Sequence, residues 1–135
     1  MNDVRVFTLD EANQLLPLLT QLLAELQKKR EAITILETQI DALELISDPA
    51  AKHSVDEMNR AVEKHHQSVT EFYAIVESIH QNGCFLKDVD LGLIDFFGMV
   101  GGRVVCLCWR LGENGIKYWH EVNDGYSERE PLEQS

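Results

Sequence analysis

The feature that most constrains this chain is a heptad pattern of apolar residues between residues 15 and 46. Apolar side chains recur there at alternating steps of four and three, and Lys29 is the one interruption. The residues of this pattern are Leu15, Leu19, Leu22, Leu26, Ile33, Leu36, Ile40 and Leu43. Such spacing places the side chains in one narrow stripe along a helix. The segment therefore predicts a long helix that packs its stripe against another helix.

A second heptad pattern supplies a partner helix within the same chain. Pro49 breaks the first pattern, and Ser54 with Glu57 predicts a capping box at the start of a new helix. The pattern then resumes at Val55, Met58, Val62, His65, Val69, Phe72, Val76 and Ile79. A short connection between two such helices makes them antiparallel neighbours. Residues 1–82 are therefore predicted to form a long, coiled-coil-like helical hairpin.

The start of the hairpin carries two further signals. Thr8 and Glu11 have the spacing of a capping box, which satisfies exposed backbone N–H groups at a helix start. Pro17 lacks the N–H group that a helix interior requires. It predicts either a kink or a short first helix, with Pro17 at the start of the long one.

After Gly83 the apolar pattern changes to the alternation of strands. Residues 84–88, 93–97 and 103–110 read as strands, with Gly101 and Gly102 in a turn. Asn114-Gly115 favours a two-residue hairpin turn, which would place Trp109 opposite His120. In that register His120 faces away from Cys106 and Cys108. We expect an antiparallel β module over residues 83–126 and a polar tail over residues 127–135.

The predicted class is thus α+β, with one domain over residues 1–135 and a small antiparallel sheet packed at the base of the helical hairpin. A formal net charge of −11 argues against binding to nucleic acid or to an anionic membrane surface. Three cysteines without the spacing of a disulfide framework fit a reducing compartment. The N-terminus lacks the basic start and apolar core of a secretion signal, so a cytoplasmic protein is expected.

Several short motifs in the chain resemble one known family. They include the opening segment 7–13, Gly92-Leu93-Ile94-Asp95-Phe96, Leu107-Cys108-Trp109, Gly112-Glu113, Trp119-His120-Glu121 and Arg129. Together they resemble an uncharacterised prokaryotic family, domain of unknown function 2203. The resemblance is strongest from Gly83 to Leu132, and it implies one shared domain plan without implying a mechanism.

The leading functional hypothesis is a non-enzymatic module that self-associates or binds a protein partner. A slender hairpin buries little core, so a homo-oligomer, either a dimer or a tetramer, is expected to cover the remaining apolar surface. The residues predicted at the oligomer seam are Leu22, Leu26, Ile33, Leu36, Ile40 and Leu43. A variant of this hypothesis is an adaptor that docks another protein through the hairpin tip at residues 48–54.

The alternative hypothesis is a metal-dependent enzyme or ligand-binding protein with its site in the β module. Asp88, Asp90 and Asp95 are oxygen ligands of the kind that Mg²⁺ or Ca²⁺ prefers. The competing explanation is that these carboxylates are solvated or capping, with Asp95 paired to Arg103 or Arg129. No cofactor is expected under the leading hypothesis, whereas a divalent metal belongs to this one.

The remaining candidate residues belong to the same alternative hypothesis. His120, Glu121 and Asp95 are the candidate catalytic residues, because a histidine near carboxylates is a potential general base. The candidate ligand-binding residues are Arg103, Arg129, Trp109 and Trp119. Cys106 and Cys108 are predicted to be buried structural cysteines, because their spacing is shorter than that of structural zinc sites.

Overall fold

A computed structural model describes residues 4–46 and 48–132 of the chain. Residues 1–3, 47 and 133–135, which belong to the predicted hairpin and tail, lie outside the described residues. The α+β class is confirmed, since two long packed helices precede an antiparallel sheet. The elements are α1 (Leu9–Gln14), α2 (Leu16–Ile46), α3 (Lys52–Gln81), β1 (Phe85–Asp88), β2 (Leu93–Val100), β3 (Arg103–Arg110), β4 (Tyr118–His120), a 3₁₀ helix (Tyr126–Glu128) and β5 (Glu130–Pro131).

The chain forms two compact units. One unit, here called the sheet unit, comprises Met1–Ala24 and Val76–Ser135, and the other, the helical unit, comprises Glu25–Ile75. No helix among the described residues is long and apolar enough to cross a membrane.

The predicted capping box at the start of α1 is confirmed. The backbone N–H of Glu11 donates to the Thr8 hydroxyl at 3.1 Å, and the N–H of Thr8 donates to the Glu11 carboxylate at 2.8 Å. Of the two outcomes predicted for Pro17, the second is confirmed. The first helix ends at Gln14, and Pro17 is the second residue of α2, where the missing N–H group has no helical acceptor to lose.

In the helical unit, α2 and α3 are joined by polar contacts along their length. Lys29 donates to Glu71 at 2.8 Å, and His65 lies 3.2 Å from Glu37. Lys29 and His65, which interrupt the two apolar patterns, therefore each find a carboxylate on the opposite helix. Leu26 is fully buried, and the other predicted seam residues of this unit, Ile33, Leu36, Ile40 and Leu43, are half-buried.

Two predictions for α3 are wrong. The helix begins at Lys52, two residues before the predicted Ser54 cap, because Asp48 organises the preceding turn and accepts from the N–H of Ala50 at 2.9 Å. Val55 and Val62 were predicted on the inner stripe, yet they are 41% and 48% exposed. The other predicted residues in this part of the helix, Met58, His65, Val69 and Phe72, are half-buried, and the small residues Ala61 and Ser68 are half-buried with them.

The sheet is an antiparallel meander of five strands in the order β1-β2-β3-β4-β5. The turn between β2 and β3 is formed by Gly101 and Gly102, whose φ angles of 58° and 79° suit glycine at both central positions of a tight hairpin. This predicted turn is confirmed, and it pairs Val100 with Arg103. The segment predicted as a polar tail, residues 127–135, contains the end of the 3₁₀ helix (Tyr126–Glu128) and the edge strand β5.

The predicted register between β3 and β4 is wrong by three residues, since His120 lies opposite Cys106 and not opposite Trp109. The Asn114-Gly115 pair does not form a two-residue hairpin. It lies within a longer loop whose contacts are tertiary: the Asn13 side chain accepts from the N–H of Ile116 at 2.9 Å. Because the shift is an odd number, it turns every β4 side chain to the face opposite the predicted one.

The apolar face of the sheet packs within the sheet unit against the N-terminal segment and the ends of the long helices. Phe7 makes an edge-on contact with Phe96, with ring centroids 5.2 Å apart, and its N–H donates to the Phe97 carbonyl at 2.7 Å. The fully buried core side chains of this unit include Leu19, Leu23, Ile79, Ile94 and Val105. This core fixes the central strands that present the polar residues of the other face.

The adjacent leucines Leu18 and Leu19 offer a matched test of this core. Leu19 is 0% exposed and Leu18 is 42% exposed. Leu19→Ala is expected to lower the free energy of unfolding by about 2–5 kcal/mol, because it leaves a cavity. Leu18→Ala is expected to lower it by about 1 kcal/mol or less. Chemical denaturation measures both values, and equal losses would contradict the described burial.

Candidate metal centre

Three neighbouring strands bring one carboxylate, one thiol and one imidazole together on the polar face of the sheet. Asp95 lies on β2, Cys106 on β3 and His120 on β4, and one ligand-type atom from each lies within 4.8 Å of the other two. Their exposed fractions are 3%, 4% and 3%. Burying polar groups costs free energy unless they have partners. The three side chains therefore form a defined polar cluster inside the protein.

The small cysteine side chains of β3 explain how Asp95 and His120 meet. These two residues lie on strands that flank β3, so about 10 Å separates the two strands. Their side chains nevertheless approach to 3.0 Å, from Nε2 of His120 to a carboxylate oxygen of Asp95. They pass over Cys106 and Cys108, which face the same side of β3. A larger side chain at either cysteine would obstruct this contact.

A hydrogen bond from Nδ1, the second ring nitrogen of His120, determines the protonation of the ring. Nδ1 lies 2.8 Å from the backbone carbonyl oxygen of Glu121. Because a carbonyl oxygen only accepts, Nδ1 carries the proton in this hydrogen bond. Nε2 is thereby directed towards Asp95. A histidine that ligates a metal usually donates its second ring N–H in this way.

The buried thiols are weak acids in this environment. Burial, followed by the Asp95 carboxylate, raises the pKa of Cys106 to about 11. The same two causes, in the same order, raise the pKa of Cys108 to about 12. Neither thiol is therefore an activated nucleophile. The His120 nitrogens contact Glu121 and Asp95 and not a thiol, which is not the arrangement of a cysteine–histidine–aspartate triad.

The segment after β4 covers this face of the sheet. A small cavity of about 90 Å³ lies beneath it, lined by Lys87, Leu93, Asp95, Cys108, His120, Asp124, Gly125 and Tyr126. The Arg129 guanidinium stacks on the rings of Tyr118 and Tyr126, at 4.0 and 4.3 Å from their centroids. It also donates two hydrogen bonds to the Glu113 carboxylate, at 2.6 and 3.1 Å. Arg129 therefore fastens the covering segment to the sheet.

The aspartates predicted as one metal cluster are separated by the fold. Asp88 ends β1, and its carboxylate accepts from the N–H of Leu91 at 2.9 Å within the turn. Asp90 lies in the same turn and is exposed, whereas Asp95 is buried on β2 beside His120. The pairing of Asp95 with Arg103 or Arg129 is wrong. Arg103 forms an ion pair with Glu121, and Arg129 pairs with Glu113.

The remaining predicted site residues lie apart from the cluster. Glu121 directs its side chain to Arg103, while its backbone carbonyl is the group that orients His120. Trp119 lies on the apolar face, where the Arg103 guanidinium stands 5.6 Å from its ring centroid. Trp109 is buried and donates from its indole N–H to the Glu113 carbonyl at 3.1 Å. His120 and Asp95 are therefore the candidate catalytic residues that the structure brings together.

Cys106 is the member of the cluster that sequence reasoning did not select. The predicted register turned His120 away from it, so the pattern indicated only a buried structural cysteine. The sequence signal that could have found it is the alternation of β3, which places Cys106 and Cys108 on one face. With β4 in its observed register, that face also holds His120.

A family model described as "Uncharacterized conserved protein (DUF2203)" matches residues 5–132. The chain therefore belongs to this uncharacterised conserved family. No curated protein and no solved structure matches it.

The hydrogen bonds of Glu113 predict a pH-dependent contribution to stability. Partial burial opposes ionisation of Glu113, but the hydrogen bonds from Arg129 and the backbone of Arg110 outweigh it and lower the pKa. A lowered pKa in the folded state stabilises the protein above the unfolded pKa of about 4.3. That stabilisation is lost as the pH falls through the folded value.

Glu113→Gln is therefore expected to lower the free energy of unfolding near pH 7 by about 1–3 kcal/mol. The difference from the unmodified protein should shrink as the pH falls below the unfolded pKa. Glu121→Gln is the matched control, because its ion pair with Arg103 is solvent-exposed and should contribute about 1 kcal/mol or less. Denaturant titrations across the acidic range measure both, and a pH-independent difference at Glu113 would contradict this account.

Proposed function

We propose that this member of the DUF2203 family binds one divalent transition metal ion, of the zinc type, through Asp95, Cys106 and His120. The observation that carries the proposal is the convergence of three buried ligand-type atoms, all within 4.8 Å of one another. Ligand atoms around a tetrahedral zinc ion lie about 3.3–3.8 Å apart. Small side-chain rotations therefore suffice for binding.

The donor set indicates the class of metal. A thiolate and an imidazole suit Zn²⁺ and related transition metals, whereas Mg²⁺ and Ca²⁺ prefer sites built from oxygen atoms. The Glu121 carbonyl supports the same assignment, because it accepts from Nδ1 of His120 at 2.8 Å and leaves Nε2 as the donor to the metal. The proposed metal would take the place of the proton that His120 and Asp95 share and of the proton on the Cys106 thiol.

Metal binding can be tested by comparing a buried cysteine inside the cluster with a buried cysteine outside it. Cys106 is 4% exposed and lies in the cluster, while Cys84 is 1% exposed and its thiol contacts the Ile79 carbonyl at 3.3 Å. Protein purified without a histidine tag is loaded with zinc, dialysed and analysed by mass spectrometry. We expect one zinc per chain in the unmodified protein and in Cys84→Ser.

Cys106→Ser is expected to weaken zinc binding by at least about tenfold, because zinc favours the thiolate over a hydroxyl ligand. His120→Ala should have the same effect, and circular dichroism verifies that each variant is folded. Retention of stoichiometric zinc by folded Cys106→Ser and His120→Ala variants would refute the proposal.

Self-association through the helical unit is a second candidate function, and a specific observation favours it. Among the described residues between 27 and 75, no side chain is fully buried. The same segment exposes large apolar side chains, at Ile35 (51%), Val55 (41%), Val62 (48%) and Tyr73 (64%). A second copy of the hairpin would cover these side chains in a four-helix bundle, which is a stable arrangement for such helices.

Adding a charge to the exposed apolar surface of α3 tests this candidate. Val62→Asp is expected to reduce the native mass towards that of the monomer, because a carboxylate is costly to bury in an apolar interface. Gln67→Asp adds the same charge at an exposed polar position of α3 and should leave the mass unchanged. Size-exclusion chromatography with light scattering measures the mass. A monomeric unmodified protein would contradict the candidate function.

A further inference from the structure

We infer that the metal centre keeps one exchangeable coordination position, open to the cavity beside Cys108, that takes water or a small monovalent anion. This inference rests on the proposed binding of a metal by Asp95, Cys106 and His120. It distinguishes a reactive centre from a purely structural one. Structural zinc sites use four protein ligands, whereas catalytic zinc sites use three and leave the fourth position to water or substrate.

The number of protein ligands supports an open position. Within residues 4–46 and 48–132, no fourth histidine, cysteine or carboxylate joins the three at the same mutual spacing. Cys108 is the nearest alternative on the same strand face, but its thiol is not among the ligand-type atoms that lie within 4.8 Å of one another. Cys108 is therefore not positioned as the fourth ligand.

The position of the cavity indicates where the exchangeable ligand would lie. Asp95 and His120 line the cavity, and Cys106 does not. The cavity is therefore on the side of the cluster away from the Cys106 thiol. Its volume of about 90 Å³ corresponds to roughly three water molecules. A ligand at this position must be small, or must enter with only a small terminal group.

The polar groups around the cavity favour a ligand that accepts hydrogen bonds. The Tyr126 hydroxyl oxygen accepts from Arg110 at 3.2 Å and from Arg129 at 3.3 Å, which leaves its own O–H as a donor. Lys87, which also lines the cavity, supplies an ammonium donor. Asp124 is exposed, where water screens its charge, and its carboxylate suits a hydrogen bond from bound water.

The charges of the centre fit the same ligand. The Asp95 carboxylate and a Cys106 thiolate together would neutralise a divalent ion, so the bound metal adds no net charge. A neutral water molecule or one anion near Lys87 is then compatible with this buried site. The ligand class is thus a small oxygen or nitrogen donor, such as a carboxylate or azide.

Cobalt substitution separates this inference from the proposal on which it rests. Co²⁺ bound to the Cys106 thiolate gives a sulfur-to-metal charge-transfer band, and its visible bands respond to a change in the remaining ligands. Azide is added to the Co²⁺-loaded protein as the small anion. We expect a saturable change in the visible bands of the unmodified protein while the charge-transfer band persists. Cys108→Ser should show the same charge-transfer band, because Cys106 supplies the thiolate ligand.

Tyr126→Phe adds a quantitative test with a matched control. It is expected to weaken azide binding by about tenfold, because it removes one hydrogen-bond donor. Tyr118 also stacks on Arg129 but does not line the cavity, so Tyr118→Phe should leave the azide affinity unchanged. Both variants should bind Co²⁺ as the unmodified protein does.

The outcomes distinguish the two claims. Absence of the charge-transfer band would contradict the proposed metal centre itself. A normal charge-transfer band without an azide response would overturn the exchangeable position while leaving the metal centre intact. A weaker charge-transfer band in Cys108→Ser would make Cys108 a ligand and would also overturn it.

Discussion

The contact between His120 and Asp95 is the interaction on which the polar face of the sheet depends. It joins β4 to β2 across the intervening strand, at 3.0 Å between two groups that are almost completely buried. This contact requires β4 to lie with His120 opposite Cys106, and it requires small side chains on the strand between. This one buried polar contact therefore depends on the register of the sheet and on the small cysteines of β3, and the proposed metal binding depends on it.

The two faces of the sheet have different roles in this account. One face is apolar and packs on Phe7 and the ends of the long helices, which gives the central strands their rigidity. The other face holds the polar cluster and is covered by the segment that Arg129 fastens to Tyr118, Tyr126 and Glu113. A site built on the middle of a sheet, with its cover tied down, is preorganised for a ligand.

Much of the fold could be predicted from the sequence, because its signals are local. The Thr8–Glu11 capping box, the long helices and the Gly101-Gly102 turn depend on residues close in the chain, and the structure confirms them. The heptad pattern was less decisive for α3. Val55 and Val62 are apolar at the predicted spacing, yet the smaller Ala61 and Ser68 are the more buried residues. A pattern of hydrophobic residues does not indicate where small side chains allow two helices to pack.

Asp95 and His120 could be selected from the sequence as candidate site residues, but their convergence with Cys106 could not be predicted. The strand register that brings them together is set by contacts between residues distant in sequence. Asn114-Gly115 is a strong local hairpin signal, but the Asn13 side chain holds the backbone of Ile116 in a longer loop. Trp109 contributes as well, by donating to the Glu113 carbonyl. An error of three residues in the register reversed the faces of β4 and separated His120 from Cys106.

The central claim is that Asp95, Cys106 and His120 bind one metal ion together. X-ray absorption spectroscopy of the zinc-loaded protein tests it most directly, because it resolves the ligands that surround the metal. We expect a single sulfur ligand at about 2.3 Å, accompanied by nitrogen and oxygen ligands at about 2.0–2.2 Å. A zinc ion surrounded by oxygen and nitrogen ligands alone, without sulfur, would contradict it.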